Sequence, residues 1–296
     1  MRVFVTGSSS RLAQALLPAL CADPAIDQVT GADRAPPRFA HSRFRPFQLD
    51  IRDPRLPTLI EGHDALVHLA FVVLRGRTSE NEMFDINVTG SHKLFHAARD
   101  AGAGRLIHMS SAAVYGSGTH LDERAPLAPL PGFLYARHKA HLEQLLEAEF
   151  PECVRLRPHV ILGPNAQPLL RQLLGLPCYL ALPEPHPLQQ CVHEDDVARA
   201  VLLALTRDVS GAFNLAVEDS FTYRDAIRGR HRFSIAVPPR VARAGLEFAW
   251  RHWGWGGEPA WIEGLSRTLL LNCRRAAVEL GWKSRHDAAA VLAATR

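Results

Sequence analysis

The sequence predicts an α/β protein: a doubly wound parallel sheet with a smaller, mostly helical lobe towards its C-terminal end. Short apolar runs alternate with helical patterns through the first half of the chain, which is typical of parallel strands joined by right-handed crossovers. After about residue 158 this alternation loosens into Pro- and Gly-rich loops. The 296 residues are 47% hydrophobic and 22% charged, an ordinary composition for a globular protein that buries a core.

Each predicted strand is a short apolar run, and each predicted helix repeats its apolar residues at helical spacing. The predicted strands cover 2–6, 28–32, 44–49, 65–70, 104–109 and 153–157. The predicted helices cover 11–22, 54–61, 81–101, 135–150 and 194–206. Residues 222–296 are expected to form short helices with one strand-like run, "TLLLN".

These elements predict two domains. Residues 1–160, together with 190–216 that return to the sheet, form the sheet domain. Residues 161–189 and 217–296 form the lobe, which covers the carboxyl ends of the strands, where open parallel sheets bind their ligands.

The segment "VFVTGSSSRLA" passes from the first strand through a tight turn into the first helix. This is the context in which the pyrophosphate of a dinucleotide is bound. Such loops usually carry three glycines, but here Gly7 is kept while Ser10 and Ala13 replace the other two. The Cβ of Ser10 would crowd the pyrophosphate, whereas the hydroxyl groups of residues 8–10, the helix N-terminus and Arg11 would attract it. We therefore predict an altered but functional loop.

The segment "YARHK" places Tyr135 and Lys139 four residues apart, on the same face of a helix. A nearby ammonium stabilises a phenolate, so we expect Lys139 to lower the pKa of Tyr135 towards neutrality. Such a tyrosine is suited to move a proton to or from a sugar or alcohol oxygen. The spacing alone is a weak signal, but a strand running into "SSAAVYG" precedes it, and Ser111 there could orient the reacting oxygen.

Eleven segments carry a resemblance to a known family over almost the whole chain. In order they are "VTGSSSRLA", "GADR", "LDIRD", "VHLAF", "NVTG", "SSAAVYG", "YARHK", "LRPHVILGP", "VHEDDVARA", "FNLA" and "ELGW". The chain thereby resembles the extended short-chain dehydrogenase/reductase family, in its NAD-dependent epimerase/dehydratase branch, which has the Rossmann fold. Within that branch it is most similar to a bacterial subgroup like UDP-glucose 4-epimerase.

The resemblance implies a catalytic role for four residues. Tyr135 would be the acid/base, and Lys139 would lower its pKa and bond to the nicotinamide ribose. Ser111 would hold the substrate oxygen, and Asn87 would position Lys139 through a water molecule. Because the set is complete, the resemblance implies an active enzyme.

The resemblance also implies NAD as the cofactor. Asp33 ends the second strand, where a carboxylate accepts hydrogen bonds from the ribose hydroxyls and repels a 2′-phosphate, so NADP is less favoured. Arg34 beside it could soften that preference, and Asp50 and Ile51 would lie at the adenine. The remaining contacts implied are Gly7, Ser9, Ser10, Arg11, Leu12, Leu69, Ala70, Ser110, Tyr135, Lys139 and Pro158.

Two departures from the motifs of the family narrow the range of reactions expected for this chain. Ala112 and Ala113 stand where dehydratases of this branch carry an Asp-Glu pair, which disfavours dehydration. Residues 188–191 offer no arginine where relatives bind a nucleotide diphosphate. A sugar epimerase is the leading prediction. The alternatives are an NAD(P)-dependent dehydrogenase or ketoreductase acting on a non-nucleotide substrate, and a non-catalytic NAD-binding regulatory protein.

Composition excludes several other classes of protein. The net charge of +4 is spread along the chain, which argues against a nucleic-acid partner. The longest apolar run, "ALVHLAFVVL", is too short to span a membrane. Five scattered cysteines and a first strand at Arg2 favour a cytoplasmic protein without a signal peptide.

The last expectations concern metal binding and the partners of the protein. His92 and His96 lie four apart on a helix, but no third metal ligand accompanies them in the sequence, so no metal is predicted. The expected partner is a small-molecule substrate. Because many members of the family pair such helices between subunits, the resemblance also implies a homodimer through helices 81–101 and 135–150.

Overall fold

The computed structural model describes residues 1–74, 76, 78–253 and 260–295. The strands in this part of the chain are β1 (Arg2–Thr6), β2 (Gln28–Asp33), β3 (Phe44–Gln48), β4 (Ala65–His68), β5 (Arg105–Met109), β6 (Gly118–Leu121), β7 (Val154–Pro158), β8 (Val160–Leu162), β9 (Cys178–Leu180), β10 (Leu188–Gln189), β11 (Cys191–His193), β12 (Gly211–Leu215), β13 (Phe221–Thr222), β14 (Ile235–Val237) and β15 (Leu269–Leu271).

The α-helices of the same residues are α1 (Arg11–Ala22), α2 (Leu56–Ile60), α3 (Glu80–Phe84), α4 (Ser91–Asp100), α5 (Leu134–Glu149), α6 (Pro168–Gly175), α7 (Glu194–Thr206), α8 (Tyr223–Arg230), α9 (Pro239–Trp253), α10 (Ala260–Leu265), α11 (Arg274–Val278) and α12 (Ala288–Ala294). A π-helix, Asp85–Gly90, joins α3 to α4, and a 3₁₀ turn, Ala112–Tyr115, follows β5.

The central sheet has seven strands in the order β12-β7-β5-β4-β1-β2-β3, and every adjacent pair is parallel. This confirms the predicted doubly wound parallel sheet. The strand order reverses between β1 and β4, so crossovers leave a crevice at their carboxyl ends. Thr6 and His68, which end these two strands, mark the point where a ligand is expected.

The core consists of two apolar layers, one on each face of the sheet. On one face, α1 and α7 bury Leu16, Leu20 and Val201 against the strands. On the other, α2, α4 and α5 bury side chains such as Phe95 and Leu142. Helices on both faces explain why the strands read as continuous apolar runs in the sequence.

Two predicted elements differ from the structure. The predicted helix 81–101 is interrupted by the π-helix, whose wider turn buries Asn87 completely; such turns are frequent at functional sites. Residues 222–296 contain more than short helices and one strand. The fifteen-residue α9 and the strand β14 lie there, while the "TLLLN" run forms β15 as predicted and pairs with β6.

In the part of the chain that the structure describes, no helix combines the length and the apolar composition needed to cross a bilayer.

Candidate functional site

Two adjoining cavities open at the carboxyl ends of the central strands. We call the larger, of about 430 Å³, the reaction cavity, and the smaller, of about 260 Å³, the loop cavity. All the predicted cofactor residues line one or both of these cavities. Those that line the loop cavity are Gly7, Asp33, Arg34, Asp50, Ile51 and Ala70. Those that line the reaction cavity are Arg11, Leu12, Ser110, Tyr135, Lys139 and Pro158, and those that line both are Ser9, Ser10 and Leu69. Residues distant in the sequence thus meet along one continuous crevice.

Gly7 makes the tight turn at the end of β1. Its φ is +71°, a left-handed conformation that favours glycine. A Cβ at this position would lie 2.6 Å from the backbone nitrogen of Ala70. The one glycine retained in the loop therefore stands at a position where the turn does not tolerate a side chain.

The three serines after Gly7 have different environments. Ser10 caps α1, since its hydroxyl oxygen accepts from the Ala13 N–H at 3.3 Å, and its own hydrogen stays available to donate. The Ser9 hydroxyl donates to the Pro36 carbonyl at 2.9 Å, and Ser8 is buried against β2. The Ser9 hydroxyl is thus engaged and Ser8 is buried, and the contact of all three hydroxyl groups with an anion stays a prediction.

Positive charge surrounds the start of α1. The first turn of this helix carries no acidic residue, so its N–H groups and dipole favour an anion there. Arg11 and Arg38 both line the reaction cavity beside this helix end. Sequence reasoning missed Arg38, whose only signal is a basic residue in the loop after β2.

Asp33 is fixed by the loop it faces. One carboxylate oxygen accepts from the Ser9 N–H at 2.9 Å and the other from the Ala35 N–H at 2.8 Å. Arg34 points to Asp50 instead, with Nε 3.6 Å from the nearest carboxylate oxygen. The Arg34 guanidinium is thus paired with a carboxylate that also lines the loop cavity.

Tyr135 and Ser111 share the reaction cavity. Burial raises the pKa of Tyr135 to about 12, and a hydrogen bond with Ser111 acts in the opposite direction. The expectation that Lys139 draws this pKa towards neutrality is wrong for this structure. Desolvation of the phenolate outweighs the hydrogen bond with Ser111, and Lys139 makes its contacts with Met109 and Phe71.

Lys139 is buried beneath Phe71. Its Nζ donates to the Met109 carbonyl oxygen and lies 3.5 Å from the centre of the Phe71 ring. Burial lowers the pKa of Lys139 well below its ordinary value, against the opposing charge of Glu143. Phe71 also packs edge-on against the Tyr135 ring, with 5.7 Å between centroids. Sequence reasoning stopped at Ala70 and so missed this aromatic side chain.

Asn87 fixes the segment that follows β4. Its amide oxygen accepts from the Val72 N–H at 2.7 Å, and its amide nitrogen donates to the Val72 carbonyl at 3.0 Å. These bonds hold the backbone next to Phe71, which in turn covers Lys139. The predicted action on Lys139 through a water molecule stays a prediction.

A buried ion pair lies directly under the site. Arg157 Nε is 3.0 Å from each oxygen of Glu143, and its Nη1 donates to the Tyr115 hydroxyl at 2.6 Å. The Ser110 hydroxyl also donates to Glu143. This network, which the sequence analysis missed, ties the serine turn to β7 and α5. The sequence indicated this network only by placing Glu143 four residues after Lys139, on the same face of the helix.

The substrate side of the reaction cavity is apolar. Its apolar lining comprises Ala112, Ala113, Leu130, Phe133, Val160, Ile161, Leu170, Leu173, Trp261, Leu265 and Leu269. Among the lining residues that the structure describes, the cationic side chains are Arg11, Arg38 and Lys139. These belong to the loop and to the Tyr-Lys pair, so the described substrate side carries no arginine.

Four polar side chains of this wall are bonded within the protein. Gln189 donates to the Arg267 carbonyl, and Glu194 accepts from the Asn165 side chain at 2.8 Å. His159 approaches the Leu269 carbonyl at 3.1 Å, and burial lowers its pKa to about 4, which keeps the ring neutral. These four side chains are therefore not free to bind a diphosphate.

The histidine pair of α4 has a third neighbour. Glu149 of α5 places its carboxylate oxygens 3.0 Å from His92 Nε2 and 3.1 Å from His96 Nε2. The expectation that no third ligand type accompanies the pair is therefore wrong. Arg99 lies 3.1 Å from His96 Nδ1, so that nitrogen accepts and Nε2 carries the hydrogen that bonds to Glu149.

Comparison with known proteins identifies relatives of the fold and the sequence. Residues 3–216 match the sequence model of the NAD dependent epimerase/dehydratase family. An uncharacterized protein of Mycobacterium tuberculosis is 28% identical over 254 residues, which are 84% of this chain and 25% of that protein. This chain thus spans about a quarter of the length of that relative.

A smaller relative and two solved structures complete the comparison. A ketoreductase of Stigmatella aurantiaca, named for 4-hydroxy-2-methyl-3-oxo-4-farnesyl-3,4-dihydroquinoline-1-oxide, is 34% identical over 183 residues, covering 59% of this chain and 54% of that enzyme. A UDP-glucose 4-epimerase of Thermotoga maritima with UDP-glucose has a TM-score of 0.80 at 19% identity, covering 100% and 97% of the two chains. The Thermus thermophilus UDP-glucose 4-epimerase complex with NAD has a TM-score of 0.77 at 23% identity, with the same coverage. These structures share the fold of this chain.

Proposed function

The chain belongs to the NAD-dependent epimerase/dehydratase family, and on that basis we propose that it interconverts a ketone and a secondary alcohol of an apolar substrate with NAD(H). This is the ketoreductase alternative that the sequence left beside the sugar epimerase. The observation that carries it is the apolar wall opposite Tyr135, where the described lining carries no arginine. A guanidinium clamp provides charge-assisted bonds to phosphate that apolar side chains cannot replace.

The name of one relative also supports a ketone as the substrate. The Stigmatella ketoreductase is named for a quinoline ketone that carries a farnesyl chain, rather than for a nucleotide sugar. The solved epimerase structures share the fold at 19% and 23% identity, and a shared fold does not carry a substrate with it.

The residues of the crevice fit a dinucleotide. The glycine turn at Gly7, the N-terminus of α1 without acidic residues, and Arg11 suit a pyrophosphate. Asp33 in the loop cavity suits the ribose hydroxyls. When bound, the nicotinamide would donate or accept the hydride of the reaction.

The protein's own groups would handle the proton. In the direction of reduction, the protonated phenol of Tyr135 donates to the ketone oxygen as the carbon receives the hydride, and Ser111 bonds to the same oxygen. In the direction of oxidation, Tyr135 must first lose its proton. The role of Lys139 at the ribose, which the family resemblance implies, stays a prediction, because its Nζ bonds to the Met109 carbonyl beneath Phe71 in this structure. Asn87 would keep the segment around Phe71 in place.

A substrate panel tests this proposal against epimerisation. Apolar cyclic and methyl ketones should consume NADH, measured by absorbance, with one alcohol formed for each NADH. UDP- and dTDP-sugars should neither stabilise the protein in thermal-shift assays nor change configuration. Conversion of a nucleotide sugar to its epimer without net NADH formation would instead establish the epimerase.

Asp33 should set the choice of cofactor. We expect NAD to bind at least about tenfold tighter than NADP, a difference of about 1.4 kcal/mol, because the carboxylate repels a 2′-phosphate. Calorimetric titration of both cofactors measures this. Asp33→Asn should reduce the ratio, whereas Asp53→Asn, on a carboxylate that lines neither cavity, should not. Equal or tighter binding of NADP would contradict the prediction.

Ser10 should affect cofactor affinity only modestly. Ser10→Gly relieves crowding at the pyrophosphate but removes a hydroxyl donor, and a glycine cap costs only a few tenths of a kcal/mol. We expect a change in NAD affinity below about tenfold, or about 1.4 kcal/mol. Ser79→Gly removes the corresponding cap from α3, at a position outside both cavities, and controls for helix stability. A change of a hundredfold at Ser10 would show that one of the two effects dominates.

A homodimer through α3, α4 and α5, and a cytoplasmic location, stay predictions. Sedimentation of the purified chain at several concentrations would measure the first.

A further inference from the structure

A second apolar cavity lies behind the reaction cavity. It has a volume of about 340 Å³ and is lined by residues of α6, β9, α8, α9 and α10. We call it the distal cavity. Side chains such as Leu176, Leu180 and Leu246 form its walls.

The distal cavity adjoins the reaction cavity along a shared wall. Four side chains line both: Leu173, Tyr223, Trp261 and Leu265. Each cavity alone is near the lower end of the volumes that hold small ligands, about 300–1,000 Å³. Their combined volume is sufficient for one ligand with two parts.

Several charged and polar groups around the distal cavity are bonded within the protein. Arg224 is paired with Glu184, and its Nε is 3.5 Å from Asp225. The Tyr179 hydroxyl bonds to Arg228 at 3.1 Å. The rest of the lining is mainly hydrocarbon, with Gln172, His186 and Tyr223 as its other polar side chains, so burial of apolar surface is the main driving force it can offer a ligand.

We propose that the distal cavity binds the apolar chain of the substrate, while the ketone or alcohol at the other end reacts beside Tyr135. The substrate class is then a ketone or alcohol carrying an alkyl or isoprenoid chain. The reacting end of this ligand rests on the proposed function. The binding of the chain does not, because it depends on the distal cavity alone.

Binding of a neutral alkyl probe tests the cavity without any turnover. Dodecyl dansylamide should bind with enhanced fluorescence, and butyl dansylamide should bind at least about tenfold more weakly, since each buried methylene contributes about 0.8 kcal/mol. Ala249→Trp fills the cavity from α9, where Ala249 is half-buried in its wall, and should weaken dodecyl binding at least tenfold. Ala244→Trp, exposed on the same helix, should leave binding unchanged.

Covalent labelling of a cysteine in the cavity wall provides a second test if the Ala249→Trp variant does not fold. Cys178 is half-buried and lines the distal cavity. Labelling the folded wild-type protein with hexyl methanethiosulfonate should abolish dodecyl binding, whereas the Cys178→Ala protein treated in the same way should keep it. Equal binding of both probes, or dodecyl binding that neither block reduces, would overturn the proposal. Competition of UDP for the same cavity would also overturn it.

Turnover provides a separate arm of the test. With 2-alkanones of increasing length, kcat/KM should rise steadily in the wild type and level off after a few carbons in Ala249→Trp. If the probes bind as expected but no ketone is reduced, the chain site stands and the proposed reaction fails. If ketones are reduced without any dependence on chain length, the reaction stands and the chain site fails.

Discussion

Replacing Tyr135 by phenylalanine should lower turnover by about 10²–10⁴-fold, the usual contribution of a positioned acid/base. The phenol lies in the reaction cavity and is hydrogen-bonded to Ser111, so a phenylalanine leaves no proton donor at that position. The thermal midpoint and NAD affinity should stay near the wild-type values, because the ring that packs against Phe71 is kept. Steady-state kinetics, thermal unfolding and calorimetry measure these three quantities.

The pH dependence separates acid/base chemistry from simple packing. With a pKa of about 12 for Tyr135, the phenol is protonated at neutral pH and ready to donate in ketone reduction. Alcohol oxidation needs the phenolate, so its rate should rise with pH from neutrality upwards. In Tyr135→Phe the residual oxidation rate should lose this rise.

A second tyrosine provides the matched control. Tyr115 is buried but lies outside the lining of the reaction cavity, and its hydroxyl bonds to Arg157 and Asn214. Tyr115→Phe should lower stability by about 1–3 kcal/mol, because buried partners lose a hydrogen bond, while turnover of the folded protein changes little. Near wild-type turnover in Tyr135→Phe would show that another group moves the proton.

Glu143→Gln should destabilise the fold by about 3–5 kcal/mol, because it leaves the Arg157 charge buried without its counter-ion. Both side chains are nearly inaccessible, at 1% and 3% of their surface. A loss of this size should lower the midpoint of thermal unfolding by roughly 5–8 °C for a chain of this length. Urea and thermal unfolding measure it in the absence of cofactor.

The same helix offers a matched control for Glu143. Glu147 lies one turn further on, is 67% exposed, and pairs with Arg155 at 3.3 Å. Glu147→Gln should therefore cost less than about 1 kcal/mol. A double variant, Glu143→Met with Arg157→Met, should be more stable than either single variant, since it removes both charges together. Equal costs at residues 143 and 147 would contradict the role given to the buried pair.

The site was partly readable in the sequence. The loop residues, Tyr135, Lys139 and Ser111 stand in motifs whose spacing is local, and the structure brings them to one crevice. Arg38 and Phe71 lie beside those motifs but carry no spacing signal of their own. The apolar wall could not be read, because its members come from several separate segments that meet only after folding.

The sequence by itself determined the alternation of strands and helices and the turn at Gly7. Both depend on local properties: hydrophobic periodicity along one segment, and the backbone freedom of one residue. The strands β1 to β5 lie within two residues of their predicted bounds. Local properties also determine the reversal of the chain at Gly7 and the shared helix face of Tyr135 and Lys139.

Tertiary structure alone decided the electrostatics of the site and the shape of its cavities. The pKa of Tyr135 rises because folding removes water from its phenol, and Lys139 is drawn to Met109 and Phe71 from other segments. Glu143 finds Arg157 only when α5 packs over β7. Desolvation and long-range contacts depend on which segments meet in space, and no local pattern in the chain encodes them.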